Sequence, residues 1–108
     1  MNYKFSHIGI PTNEEKEWDG FYEPGKIHYT KFEKDEYQIE WVKFDADSPM
    51  PELVRTIPHV AYVVANMEDA LQGKDILVDI FSPDEGVRVA FIKHKGAPVE
   101  FMEVASQI

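Results

Sequence analysis

The chain has 108 residues, with 11 lysines and arginines against 20 aspartates and glutamates, a formal net charge of -9. At this length one domain is expected, and hydrophobic residues at 44% can supply its core, which excludes wholesale disorder. The acidic excess and the lack of any basic cluster exclude nucleic-acid binding, and the absence of cysteine excludes disulfides and cysteine zinc sites, which suits a reducing, cytoplasmic setting.

The opening Met1-Asn2-Tyr3-Lys4-Phe5 lacks the apolar stretch of a secretory leader, so none is expected. No run approaches the roughly 18 apolar residues of a membrane span, so no membrane partner is expected either. Apolar residues alternate along most of the chain, which is the strand period. Phe5 to Ile10 predicts a strand stopped by Pro11, and Asn13 to Asp19 is the only room for a helix before the next strands. Lys26 to Glu33 and Glu36 to Phe44 alternate, with Lys34-Asp35 between them as a hairpin turn. Asp45 to Pro51 holds two prolines and two aspartates and breaks the pattern, so a linker is predicted over 46–56. His59 to Val64 alternates again. Asn66 is placed to cap a short helix, Met67 to Leu71, with Asp69 at its third position and Gly73 beyond its end. Asp75 to Phe81, Val87 to Lys93 and Val99 to Val104 complete the strands, separated by turns at Ser82 to Gly86 and His94 to Pro98.

The two halves share an order of parts, a repeat of about 50 residues. Each opens on a strand led by histidine, His7-Ile8-Gly9-Ile10 and His59-Val60-Ala61-Tyr62, and each closes on a strand with one glutamate among apolar neighbours. His7 and Glu40 are 33 residues apart, His59 and Glu100 are 41 apart, so the first half is the shorter. Glu40 lies between Ile39 and Trp41, and Glu100 between Val99 and Phe101; on a strand both glutamates therefore leave the face their neighbours define. On the concave side of a curved sheet such carboxylates need a partner, and a divalent cation is one. Two imidazoles and two carboxylates suit a borderline or hard cation with waters completing an octahedral site. Singly, each residue has an ordinary reading as a hydrogen-bonded histidine or a solvated acid; the match between halves favours a shared site. His28 and His94 have no counterparts and are expected at the surface. The acidic groups near Glu14, Glu33 and Asp84 are expected to be solvated turns and faces.

On these residues the chain resembles the vicinal oxygen chelate superfamily, the group of glyoxalase I, methylmalonyl-CoA epimerase, extradiol dioxygenases and bleomycin-resistance proteins. The resemblance implies a single α+β domain of two βαβββ modules, about 1–45 and 57–108, forming a curved, mostly antiparallel half-barrel sheet around a cavity, with a shortened first module. It implies metal ligands on the first and last strand of each module: His7 in Ser6-His7-Ile8-Gly9-Ile10, Glu40 in Gln38-Ile39-Glu40-Trp41, His59 in Pro58-His59-Val60-Ala61, and Glu100 in Pro98-Val99-Glu100-Phe101. One divalent ion, Ni, Co, Mn, Zn or Fe, is expected there. Met67 to Leu71 is similar to the family's second helix, and Val89 to Lys93 followed by Val99-Glu100-Phe101 is similar to the epimerase branch.

The implied activity is that of a metal-dependent lyase or isomerase, glyoxalase I-like, acting on a small carbonyl substrate through an enediolate. Glu100, or else Glu40, is the implied general base. Two alternatives share the fold. The methylmalonyl-CoA epimerase type usually has an amide at the second ligand, where this chain has Glu40. Non-catalytic, bleomycin-resistance-like binding proteins lack the ligand set. The basic residues that hold glutathione near the first histidine have no match: Pro11 and Thr12 follow that strand, and Arg55 and Arg88 are the only arginines. Extradiol dioxygenases keep open the position that Glu40 would fill. A two-fold homodimer is implied, and the open sheet edges of so small a chain point the same way.

Overall fold

The alternating segments form eight strands of one sheet in the computed structural model, which describes residues 3–105. Met1 and Asn2, within the stretch where no leader is expected, lie outside the described residues, as do residues 106–108. The strands are β1 (Tyr3–Pro11), β2 (Gly20–Tyr22), β3 (Ile27–Tyr29), β4 (Ile39–Phe44), β5 (His59–Val64), β6 (Asp75–Asp84), β7 (Val87–His94) and β8 (Ala97–Val104). Two one-turn helices join them, α1 (Glu52–Thr56) and α2 (Met67–Leu71). No helix among the described residues is long and apolar enough to cross a membrane.

The sheet order is β2-β3-β4-β1-β5-β8-β7-β6. Each half follows one rule: its first strand pairs in parallel with its last, β1 with β4 and β5 with β8, and the other two strands continue outward antiparallel. A parallel pair needs a long crossover, which the intervening strands of each half provide. β1 and β5 meet antiparallel at the centre. The result is a curled, mixed half-barrel with a Cα radius of gyration of 13.3 Å, the value of about 13 Å expected for one compact domain of this length.

The two faces bury different sets of residues. On the outer face α2 sets Met67 and Leu71 against Val64, Ala90, Ile92 and Phe101. Asn66 caps it as expected, its side chain accepting from Asp69 N at 2.9 Å, and the Glu103 carboxylate accepts from Met67 N at 2.8 Å. On the inner face Val54, Val89 and Phe91 cluster, with Phe44 and Met102 beside them.

Three local expectations are corrected, and one strand, β2, was not anticipated. Asn13 to Asp19 forms no helix; it crosses the outer face as an irregular strap, with Lys16 Nζ 4.6 Å from the Trp41 ring centre and Lys43 paired to Glu15. Those seven residues carry one large apolar side chain, Trp18, so a helix there has no apolar stripe to bury and is too short to stand alone. The hairpin at Lys34-Asp35 is replaced by a 3-10 turn, Phe32–Lys34, with Asp35 Oδ1 accepting from Tyr37 N at 2.8 Å and Ile39 N at 3.2 Å. β2 was not legible, because three residues are too few to show a period. The linker contains α1, whose Val54 is 1% exposed and packs with Val89 and Phe91 on the inner face.

Candidate metal centre

The centre is built by register. On β1, Gly9 pairs with Glu40 of β4 on one side and His59 of β5 on the other. On β5, Ala61 pairs with His7 of β1 and Glu100 of β8. Each small residue therefore sits between an acid and an imidazole, once in each half. The smallness is required at Gly9, where a Cβ would overlap the His59 ring. A bulge between Phe5 and His7 turns both Ser6 and His7 inward. Gln38, just before β4, adopts a left-handed φ of 57°. Its amide donates to Ser6 O at 2.8 Å, and its carbonyl accepts from Ile8 N at 3.1 Å. These bonds set the register that aims Glu40 inward.

His7, Glu40, His59 and Glu100 come together as expected, all in one chain. One donor atom from each lies within 4.8 Å of the other three. Donors around one ion at bond lengths of about 2.0–2.3 Å are at most about 4.6 Å apart, so this spacing is close to that of a common centre. His7, His59 and Glu100 are 1%, 4% and 7% exposed, and the Glu40 side chain is 21% exposed. The His59 Nε2–H donates to Glu100 Oε1 at 2.8 Å. His7 Nε2 lies 3.4 Å from Glu100 Oε1 and 3.7 Å from Glu40 Oε1, and it has no hydrogen-bond partner among the described residues although fully buried. His7 Nδ1 is bonded instead to the Ser6 hydroxyl at 2.9 Å, which leaves Nε2 as the nitrogen facing the centre. Phe32 stacks on the His7 ring at 4.1 Å.

The electrostatics are those of an acid pair in a confined space. Burial pushes the Glu40 carboxyl up to about 8, and the Glu100 charge adds to the effect. Burial also opposes the charge on Glu100, but the hydrogen bond from His59 and the two imidazoles close beside it, His7 at 3.4 Å, outweigh it and hold this carboxyl down to about 2. An unpartnered buried imidazole nitrogen aimed between two carboxylates is what a cation would satisfy, and the four residues could hold a metal ion.

The four side chains line a cavity of about 260 Å³ on the inner face. Tyr29 and Ile27 line it too, so His28 between them faces outward. There it is bonded to Asp45 at 2.9 Å and packed on Phe21 at 4.5 Å, half-buried rather than freely exposed. His94 is exposed, as expected, though it ends β7 rather than lying in the turn. Sequence reasoning missed Ser6, Gly9, Phe32, Gln38 and Ala61. For Gly9 and Ala61 a signal existed: each lies two residues after its histidine. Phe32 and Gln38 carried none, since both act from irregular backbone.

No family model matches the chain, and no curated protein matches it. Among solved structures it is similar to a hypothetical protein from Bacillus halodurans, with 22% identity over 100% of this chain and 99% of that one and a TM-score of 0.67. The likeness is one of fold.

Proposed function

We propose that the chain is a metal-dependent lyase or isomerase of small carbonyl compounds, of the vicinal oxygen chelate kind that its sequence resembles, with its two four-stranded halves sharing one centre. The supporting observation is the convergence of His7, Glu40, His59 and Glu100, two from each half, in the wall of one cavity. These four side chains would hold one divalent ion, with Ni, Co, Mn, Zn and Fe all compatible with nitrogen and carboxylate donors. The ion would supply Lewis acidity to two neighbouring oxygens of the substrate.

The chain's own residues do the rest. Ser6 holds the His7 ring through Nδ1, and Gly9 leaves room for the His59 ring. The apolar walls exclude water from the reacting carbon. Glu100 takes the α-proton as general base, with Glu40 the other carboxylate within reach of the same space. The protein is expected to act as a homodimer in the cytoplasm, a setting that the absence of cysteine suits.

Metal analysis of protein purified without chelator tests the centre, and about one ion per chain is expected. Glu100→Gln then separates catalysis from binding. The amide keeps an oxygen donor but cannot take a proton near neutral pH. Metal content should fall modestly, while turnover of an α-hydroxycarbonyl substrate falls about 10²- to 10⁴-fold. His59→Ala should lose metal and activity together. Equal turnover of the parent and Glu100→Gln, with metal bound in both, removes the base role from Glu100. A binding protein instead predicts no turnover in the parent.

A further inference from the structure

We infer that the ligand of this cavity is an uncharged α-oxygenated carbonyl compound carrying a planar apolar group of phenyl size, rather than a glutathione or coenzyme A conjugate. The placement of its two oxygens rests on the function proposed above; the nature of the remainder rests on the cavity walls alone.

Three observations carry the inference. The first is an aromatic ladder. The Tyr22 and Phe81 rings stack at 5.5 Å, the Phe81 and Phe91 rings at 6.5 Å with only 10° between their planes, and Phe91 meets His59 edge-on at 5.0 Å. A line of rings thus runs along one wall to the imidazole of the metal centre. Phe44, Val54, Val89 and Met102 fill the apolar surface beside it. Offset stacking against such rings favours a flat guest.

The second is charge. Among the described residues lining the cavity, Lys31 is the single lysine or arginine, and it is exposed. Glu33 and Asp84 are exposed acids lining the same cavity, on a chain of net charge -9. Lys31 alone could pair with the carboxylates of a tripeptide or the phosphates of a nucleotide, and the two exposed acids beside it repel both. The third is size. A volume of about 260 Å³ lies at or below the roughly 300 Å³ that opens the usual range for ligand sites. A small aryl ketone suits that space; a tripeptide or nucleotide conjugate must leave most of itself outside, beside the acids.

Calorimetric titration of the full chain with three probes tests this: 2-hydroxyacetophenone, hydroxyacetone, and 2-hydroxyacetophenone bearing a 4-carboxylate. The neutral aryl ketone should bind about 10-fold or more tighter than hydroxyacetone, since even one methylene in an apolar pocket is worth about that factor. The carboxylate should bind more weakly than the neutral aryl ketone. In Glu33→Lys/Asp84→Lys, two exposed positions whose change leaves the core intact, the preference between those two should shift toward the carboxylate. Equal binding of hydroxyacetone and the aryl ketone would overturn the inference, as would a carboxylate preferred by the unaltered chain. Each ratio is measured with metal present and again after chelation, by ligand-observed NMR where affinity is low. Failure to take up metal or to turn over substrate would count against the proposed function, while the aryl preference of the metal-free cavity stands or falls separately.

Discussion

Gly9 shows how much of the centre depends on one missing methyl group. A Cβ there would occupy the space of the His59 ring, so Gly9→Ala must move that ring or the strand beneath it. Overpacking of this kind costs about 1–3 kcal/mol, and displaced ligands lose metal as well. Metal affinity should fall at least about 10-fold, the scale on which supporting residues act at metal sites. Ala61→Gly, at the matching place in the other half, should lose stability but keep metal. Metal titration of both variants, alongside their melting temperatures, checks this; a Gly9→Ala protein that binds like the parent would show that the ring has other room.

Glu40 gives the metal-free protein a pH dependence of known sign. Its carboxyl is pushed from 4.5 up to about 8 in the fold, so its contribution to stability is complete below about pH 4.5 and is lost as pH rises through 8. Glu100 works in the opposite direction, its contribution present above about pH 4.5 and lost as pH falls toward 2. In chelator, the melting temperature should therefore drop between pH 5 and pH 8.5, and drop less in Glu40→Gln. Parallel profiles for the two proteins would show that the Glu40 carboxyl is not strained by its burial.

At the scale of elements, the two halves solve the same problem with different means. In the second half α2 covers the outer face of β5 and β8 with Met67 and Leu71. In the first, the strap from Asn13 to Asp19 does that work with Lys16 over Trp41. The short helix depends on its cap. Asn66→Ala removes the acceptor for Asp69 N and should destabilise the protein by about 1 kcal/mol, read by denaturant unfolding, with metal binding unchanged because α2 touches no ligand. Val54 of α1 is the contrary case. It is fully buried and lines the cavity, so Val54→Ala should lower stability by about 1–3 kcal/mol and enlarge the cavity at the same time.

For the whole molecule, metal binding at the proposed centre would be linked to folding, since the four side chains converge only in the folded sheet. An ion present at 100 times its Kd should add about 2.7 kcal/mol, or roughly 10 °C of melting temperature for a domain of this size. Chelation followed by each candidate metal in turn would rank them by the shift they restore. Association is a separate matter. The outer edge β6 carries three register shifts, Pro83 and the acids Asp75, Asp79 and Asp84, all of which discourage strand addition. The opposite edge, β2, is three residues long. The expected homodimer should therefore form through a face rather than an edge. Light scattering across a range of concentrations checks for it, and a mass that stays at 12.5 kDa throughout would rule it out.

Some of this was written in the residues themselves. The alternation along β1, β5, β7 and β8, the cap at Asn66 and the matched pairs His7 with Glu40 and His59 with Glu100 are local or repeated patterns, so they survive in one dimension. The strap in place of a first helix, α1 within the linker and the brief β2 were decided by tertiary packing, because segments so short draw their shape from what they cover. The same holds inside the centre. That Gly9 must make way for His59, that Gln38 tips Glu40 inward from a left-handed turn, and that Phe32 lies on His7 are facts about strands paired across the sheet and loops folded over it. Side-chain types could name the four candidate ligands; only the register of β1 with β4 and β5, and of β5 with β8, could bring them within 4.8 Å of one another.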